Sequence, residues 1–149
     1  MPVDKLLRAK DQSRSGAAVE TIAPGAPITV AAQRMATMRI GCLVVSEDQR
    51  AVLGLITERD LVRAFARHGA NAPSLRVRDA MSTGVPTCAP GDDLSTVMRT
   101  MTTRRYRHVP VVQNGELLGI VSIGDVVKQR LDDLELEASV LRDAYRAAR

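Results

Sequence analysis

The chain predicts a mixed α/β fold built from two similar halves, and three observations carry that expectation. Its 149 residues repeat a set of identities at a nearly constant spacing. Each copy holds one apolar stripe at helical spacing, and each stripe is followed by two short runs of aliphatic and β-branched residues.

The repeat is explicit. Thr21-Ile22-Ala23-Pro24-Gly25 returns as Thr87-Cys88-Ala89-Pro90-Gly91, 66 residues on. At the same offset Met35 matches Met101, Thr37 matches Thr103, Arg39 matches Arg105 and Val45 matches Val111. One deletion shifts the offset to 65, where Leu53-Gly54 matches Leu118-Gly119, Asp60 matches Asp125 and Val62 matches Val127. Thr57 aligns with Ser122, hydroxyl for hydroxyl. An ordered set with a single gap is a duplication.

Ile28, Ala31, Ala32 and Met35 fall at i, i+3, i+4 and i+7, as do Leu94, Val97, Met98 and Met101. Each set is one face of an amphipathic helix, entered through a Pro-Gly turn, with Asp92 or Asp93 as a cap in the second copy. Runs 42–46 and 52–57, then 109–112 and 117–122, read as strands joined by polar hairpin loops. A further helix starts near Asp60 and stops before Gly69, and its counterpart starts near Asp125. Each copy therefore reads strand, helix, strand, strand, helix. The expected division is 1–14 for an N-terminal helix and connection, 15–68 for the first copy, 69–76 for a linker, 77–130 for the second copy and 131–149 for a helical tail. That tail carries Leu131, Leu134, Leu136, Val140 and Leu141 among many charges.

Composition narrows the function. Apolar residues at 45% suffice for a core, but aromatics at 2% suit a base-stacking nucleic-acid platform poorly. The net charge of +4 is spread among interleaved acids, and Arg99, Arg104, Arg105 and Arg107 near a helix end read as a solvated face, which argues against a nucleic-acid partner. Cys42 and Cys88 form no CxxC pair, so zinc is not expected and buried free thiols are. No apolar run reaches membrane-spanning length and no signal-type segment opens the chain, so a cytoplasmic protein is expected. No nucleophile, base and orienting group can be assembled from the spacing, so no catalytic residue is expected and the chain reads as a non-enzyme.

Two heptapeptides complete the reading. Gly54-Leu55-Ile56-Thr57-Glu58-Arg59-Asp60 and Gly119-Ile120-Val121-Ser122-Ile123-Gly124-Asp125 share a Gly, two apolar residues, a hydroxyl residue and an Asp three positions later. With Arg107-His108-Val109-Pro110-Val111-Val112 and Val77-Arg78-Asp79-Ala80-Met81, these motifs make residues 15–130 resemble a pair of CBS domains. The resemblance implies tandem CBS motifs, each β-α-β-β-α, with two small sheets packed about a pseudo-twofold axis, an arrangement called a Bateman module. It also implies two related clefts that take AMP, ADP, ATP or related adenosyl compounds, sometimes dinucleotides such as NAD(H).

The signature suits such ligands. A carboxylate accepts from both ribose hydroxyls, a Ser or Thr hydroxyl donates to a phosphate, and the amides opening the next helix favour an anion. By the resemblance, one cleft joins Ser122 and Asp125 to a segment with Ser15 and Val19 along the adenine, and Arg107 and His108 at the phosphates. The other joins Thr57 and Asp60 to Ser82 and Val85. Gly41 and Cys42 stand in the first copy where Arg107 and His108 stand in the second. The second cleft therefore lacks those cations, with Arg59 or Arg39 as substitutes, and the Asp125 cleft ranks as the better site. Taken singly, Asp60 and Asp125 suit helix-opening acids; matched behind Thr57 and Ser122 they favour a ligand. His108 suits a phosphate contact and an interior histidine equally.

The expected function is a stand-alone, non-catalytic sensor with no obligatory cofactor. It binds an adenine nucleotide between the copies, forms a homodimer and signals to a regulated protein. The alternative is a ligand-free structural or interaction homodimer.

Overall fold

Helix α2 (Ile28–Met38) and helix α5 (Leu94–Arg104) show how far the duplication extends. Each buries its stripe, Ile28, Ala31 and Met35 in one and Leu94, Val97 and Met101 in the other. Each ends on an arginine in the left-handed region, Arg39 at φ 54° and Arg105 at φ 58°, a conformation that costs a non-glycine residue about 1 kcal/mol. The matched arginines thus share one strained helix ending. The computed structural model from which these positions come describes residues 1–13 and 19–149.

In the first half, β1 (Thr21–Ile22) runs parallel to β2 (Cys42–Val45), which pairs antiparallel with β3 (Gly54–Thr57) in the order β1-β2-β3. Helix α3 (Glu58–His68) follows directly. In the second half β4 (His108–Gln113) and β5 (Glu116–Ser122) form a two-stranded hairpin, followed by α6 (Ile123–Ala147). The expected leading strand of the second copy is reduced to one bridge between Cys88 and Val111. Pro110 is the reason. Val44 donates its amide to the Glu20 carbonyl at 3.2 Å. Pro110, 66 positions later, has no amide to donate.

The core has three parts. One cluster holds Ile28, Leu43, Val45, Ile56 and Leu61, and a second holds Leu94, Val97, Val109, Val111 and Val121. A third, of Cys42, Val44 and Leu55, is flanked by Leu117 and Ile120 from the other hairpin, so the two sheets meet there. The halves are also joined at one edge, where Leu117 donates to the Arg50 carbonyl at 2.7 Å and Arg50 pairs with Glu116 at 2.6 Å.

The segments that precede each half are exchanged. The expected linker coils into a 3-10 turn (Gly69–Ser74), followed by α4 (Val77–Ala80). Ala72 and Val77 are buried in the first cluster. Helix α1 (Val3–Ser13) buries Val3 and Leu6 in the second. The hydrogen bonds match: Val3 donates to the Asp92 carbonyl at 2.9 Å and Val77 to that of Ala26 at 2.8 Å, while Asp4 and Arg78 donate to Pro90 and Pro24, both at 2.9 Å. The start of α1 is therefore the counterpart of α4, extended to 11 residues from 4. Helix α6 runs unbroken for 25 residues, so the expected tail continues the last helix of the second half.

Candidate functional site

Each signature first builds a helix start. Asp125 donates its amide to Ser122 Oγ at 3.1 Å, and Ser122 donates its own to Asp125 Oδ2 at 2.9 Å. The same capping box joins Thr57 and Asp60, at 3.2 and 2.9 Å. The spacing of the heptapeptide is thus the spacing from N-cap to third helical residue.

Beyond that shared box the two carboxylates differ. Asp60 is only 4% exposed. Its Oδ1 accepts from Ser82 Oγ at 2.9 Å, and its Oδ2 accepts from both the amide and the hydroxyl of Thr57. Arg63 adds an ion-pair contact at 3.8 Å. The backbone of Ser82 closes over this side, exchanging hydrogen bonds with Leu55 at 3.0 and 2.8 Å. Val85 packs on the Cys42, Val44 and Leu55 cluster. Thr57, Asp60 and Ser82 are therefore brought together, in a closed network.

Asp125 faces a cavity of about 860 Å3, within the usual size of small-molecule sites. Its Oδ2 accepts from Lys10 Nζ at 2.7 Å, and Lys10 also donates to the Ile120 carbonyl at 2.8 Å. Its Oδ1 has no hydrogen-bond partner among the described residues. Burial acts to raise the pKa of this carboxyl, but the Lys10 ammonium and the Ser122 amide outweigh it and hold the group below the usual carboxylate range. Leu7, Val19, Met38, Ile40, Leu118 and Ile120 give the cavity apolar walls, and Lys10, Asp11, Glu20, Arg39, His108 and Ser122 join Asp125 as its polar residues.

Asp125, Ser122, His108 and Val19 thus line one cavity, as placed from the sequence. Ser15 lies outside the described residues. Arg107 is not part of the wall; its side chain is exposed, because neighbouring residues entering a strand point to opposite sides. Gly41, Cys42 and Arg39, assigned from the sequence to the Asp60 cleft, line the Asp125 cavity instead. The hairpins face each other, so the starts of β2 and β4 meet: a Cβ on Gly41 would lie 3.8 Å from His108 Cε1. The Arg39 guanidinium, expected to substitute for missing cations beside Asp60, lines the Asp125 cavity.

Lys10 is the site residue that sequence reasoning missed. A single lysine has no periodicity, and its place follows only once the start of α1 is recognised as the counterpart of α4.

Burial pushes the pKa of His108 below 6.5, with Asp125 opposing and Lys10 assisting. An unfolded chain takes up this proton near 6.5 while the folded one resists, so His108 destabilises the fold as pH falls through that value. His108→Gln is expected to lose less melting temperature than the native chain between about pH 7.5 and about pH 5.5. Equal losses in the two proteins would clear His108 of this role. Burial, with Asp60 adding, pushes the Cys42 thiol in the same cavity up to about 12, so it stays protonated near neutrality and is a poor nucleophile.

No helix among the described residues is long and apolar enough to cross a membrane. The sequence profile of the CBS domain matches residues 17–67 and 77–132. A CBS-domain containing protein from Agrobacterium tumefaciens superposes with a TM-score of 0.80 at 42% identity, covering 87% of this chain and 99% of that one. A CBS domain protein from Pyrobaculum aerophilum, solved as a complex with AMP, gives a TM-score of 0.75 at 25% identity over 93% and 99% of the two chains. The mitochondrial CBS domain-containing protein CBSX3 of Arabidopsis thaliana is 37% identical over 102 residues, 66% of this chain and half the length of that relative. With both matched segments and both capping-box signatures in place, the chain belongs to the CBS-domain family.

Proposed function

We propose that this protein is a non-catalytic sensor that takes one adenine nucleotide in the Asp125 cavity and reports it to a protein partner. The observation that carries the reading is Asp125 Oδ1, without a hydrogen-bond partner among the described residues, facing a cavity with apolar walls that Arg39 and His108 also line. In it the ribose diol donates to Asp125, the base lies between Ile40, Val19 and Ile120, and Arg39 and His108 meet the phosphates. The relative that binds AMP supports this ligand class. The family supports a regulatory role, and the Cys42 thiol in the cavity, protonated near neutrality, is a poor nucleophile. A cytoplasmic homodimer remains the working assembly. On the Asp60 side the ligand-free alternative is favoured, because Ser82 and Thr57 already use both carboxylate oxygens.

The test is a thermal melt with AMP, ADP, ATP, NAD, NADH and S-adenosylmethionine, with GTP as control. A ligand at 100 times its dissociation constant adds about 2.7 kcal/mol, roughly 5–10 °C for a chain of this size. A rise with an adenosyl ligand and none with GTP is the expected result. No rise with any of them would transfer the proposal to the ligand-free homodimer.

Lys10 links the cavity to the outside. Its ammonium holds Asp125 Oδ2 and the Ile120 carbonyl, where it competes with a ribose diol. A ligand that displaces it loosens the end of α1, which becomes the element that reports occupancy. Lys10→Met is expected to tighten binding of adenosine, which has no phosphate to lose a cation, by about three- to tenfold. Calorimetry showing weaker adenosine binding in the variant would make Lys10 a ligand contact and exclude it as a competitor.

A further inference from the structure

Helix α6 leaves the body of the molecule part-way along its length. Val126 is buried and Gln129 and Asp133 are partly so, and after them the helix projects outward with its side chains largely exposed. A second stripe, roughly a quarter-turn from the first, is exposed along its whole length: Val127, Leu131, Leu134, Ala138, Leu141 and Tyr145. Their spacings alternate between four and three residues, the heptad pattern of a coiled-coil seam. Leu131 is 55% exposed, Leu141 70% and Tyr145 65%, so this seam is uncovered.

The flanking charges identify the occupant. In this register Lys128, Glu135 and Arg142 take the e positions, and Arg130 and Glu137 take g. In a parallel two-stranded pair each g faces the next e of the other helix. Arg130 then meets Glu135 of the partner subunit, and Glu137 meets Arg142 of the partner subunit, both opposite in charge. Antiparallel stripes centred on each other would set Glu135 against Glu135, Glu137 against Glu137 and Lys128 against Arg142, all alike in charge. The sequence therefore carries a self-complementary pattern in one orientation only.

We infer that the distal half of α6 is a dimerisation device that takes a second copy of this chain as a parallel, in-register coiled coil. The inference is independent of the nucleotide reading and goes beyond a homodimer as such, because it fixes the face, the register and the direction of the two chains. Leu136 and Val140 lie outside the seam, and the pairing does not account for their exposure.

Cysteine cross-linking of the full chain tests it. Cys42 and Cys88 are buried, so the native chain is the blank. In a parallel pair residue 138 faces its own copy, so Ala138→Cys is expected to give a covalent dimer under mild oxidation, whereas Asp132→Cys on the outer face does not. Glu137→Arg sets like charges together twice per dimer and is expected to weaken association about tenfold, and adding Arg142→Glu restores it. Leu134→Asp with Leu141→Asp lies beyond the body of the fold and should yield a folded monomer by light scattering. A native chain that is monomeric at micromolar concentration would overturn the inference. So would a dimer that survives the double Asp substitution, or one that cross-links only when Ala138→Cys and Leu134→Cys chains are mixed.

Discussion

Asp125→Asn is expected to abolish most of the nucleotide-dependent gain in melting temperature while leaving the fold intact. The amide keeps an oxygen for the Ser122 amide, so the helix start survives. It loses the charge that makes two ribose hydroxyl bonds strong, at about 1.5 kcal/mol each, which raises the dissociation constant roughly 100-fold. A ligand concentration that stabilised the native protein by about 2.7 kcal/mol then adds about 0.4 kcal/mol. Asp60→Asn is the contrast. Its carboxylate is engaged by Ser82 and Thr57, so the substitution should lower the melting temperature of the free protein and preserve the ligand-dependent rise. If the two variants lose that rise equally, the ligand is not held where we place it.

The second large effect is Gly54→Ala. A Cβ at this position would stand 2.3 Å from the Ser82 carbonyl oxygen, a backbone atom that accepts from the Leu55 amide. The strand cannot yield without losing both hydrogen bonds between Leu55 and Ser82, and Ser82 would leave Asp60 with an unmet buried oxygen. A cost of about 3 kcal/mol, roughly 10 °C in melting temperature, is expected. Gly119 occupies the same place in the second signature, but its added Cβ would meet Leu7 Cδ2 at 2.7 Å, the tip of a side chain that can turn aside. Gly119→Ala should therefore cost about 1 kcal/mol. Equal melting temperatures for the two variants would refute this reading of the close approach at Gly54.

These contrasts show which parts of the structure could be read from the sequence. Elements governed by local periodicity were legible: the stripes of α2 and α5, the two hairpins, and the pairs Thr57 with Asp60 and Ser122 with Asp125, whose spacing is that of a helix start. What depends on how the halves face one another was not. Arg39 and Gly41 were assigned to the wrong cleft because no one-dimensional pattern tells which hairpin edge lies opposite His108. Arg107 and His108 are neighbours in sequence, yet only His108 lines the cavity, since strand geometry separates adjacent side chains. Pro110 was legible as a strand proline, but its effect on a distant partner at Cys88 required knowing the pairing. Lys10 was invisible for the same reason, being 115 residues from the carboxylate it holds.

The exchange of lead-in segments bears on how the chain unfolds. Two sequence repeats with separate apolar clusters resemble a tandem array, in which either unit could melt alone. Here the segment before the first repeat completes the second cluster through Val3 and Leu6, and the segment between repeats completes the first through Ala72 and Val77. Cutting the chain between the copies would leave one fragment with a borrowed piece it cannot use and the other with a hole where that piece belongs. Loss of either cluster strips an element from its neighbour, so the molecule is expected to melt as one cooperative unit, with a disturbance at α1 in one half felt as stability throughout.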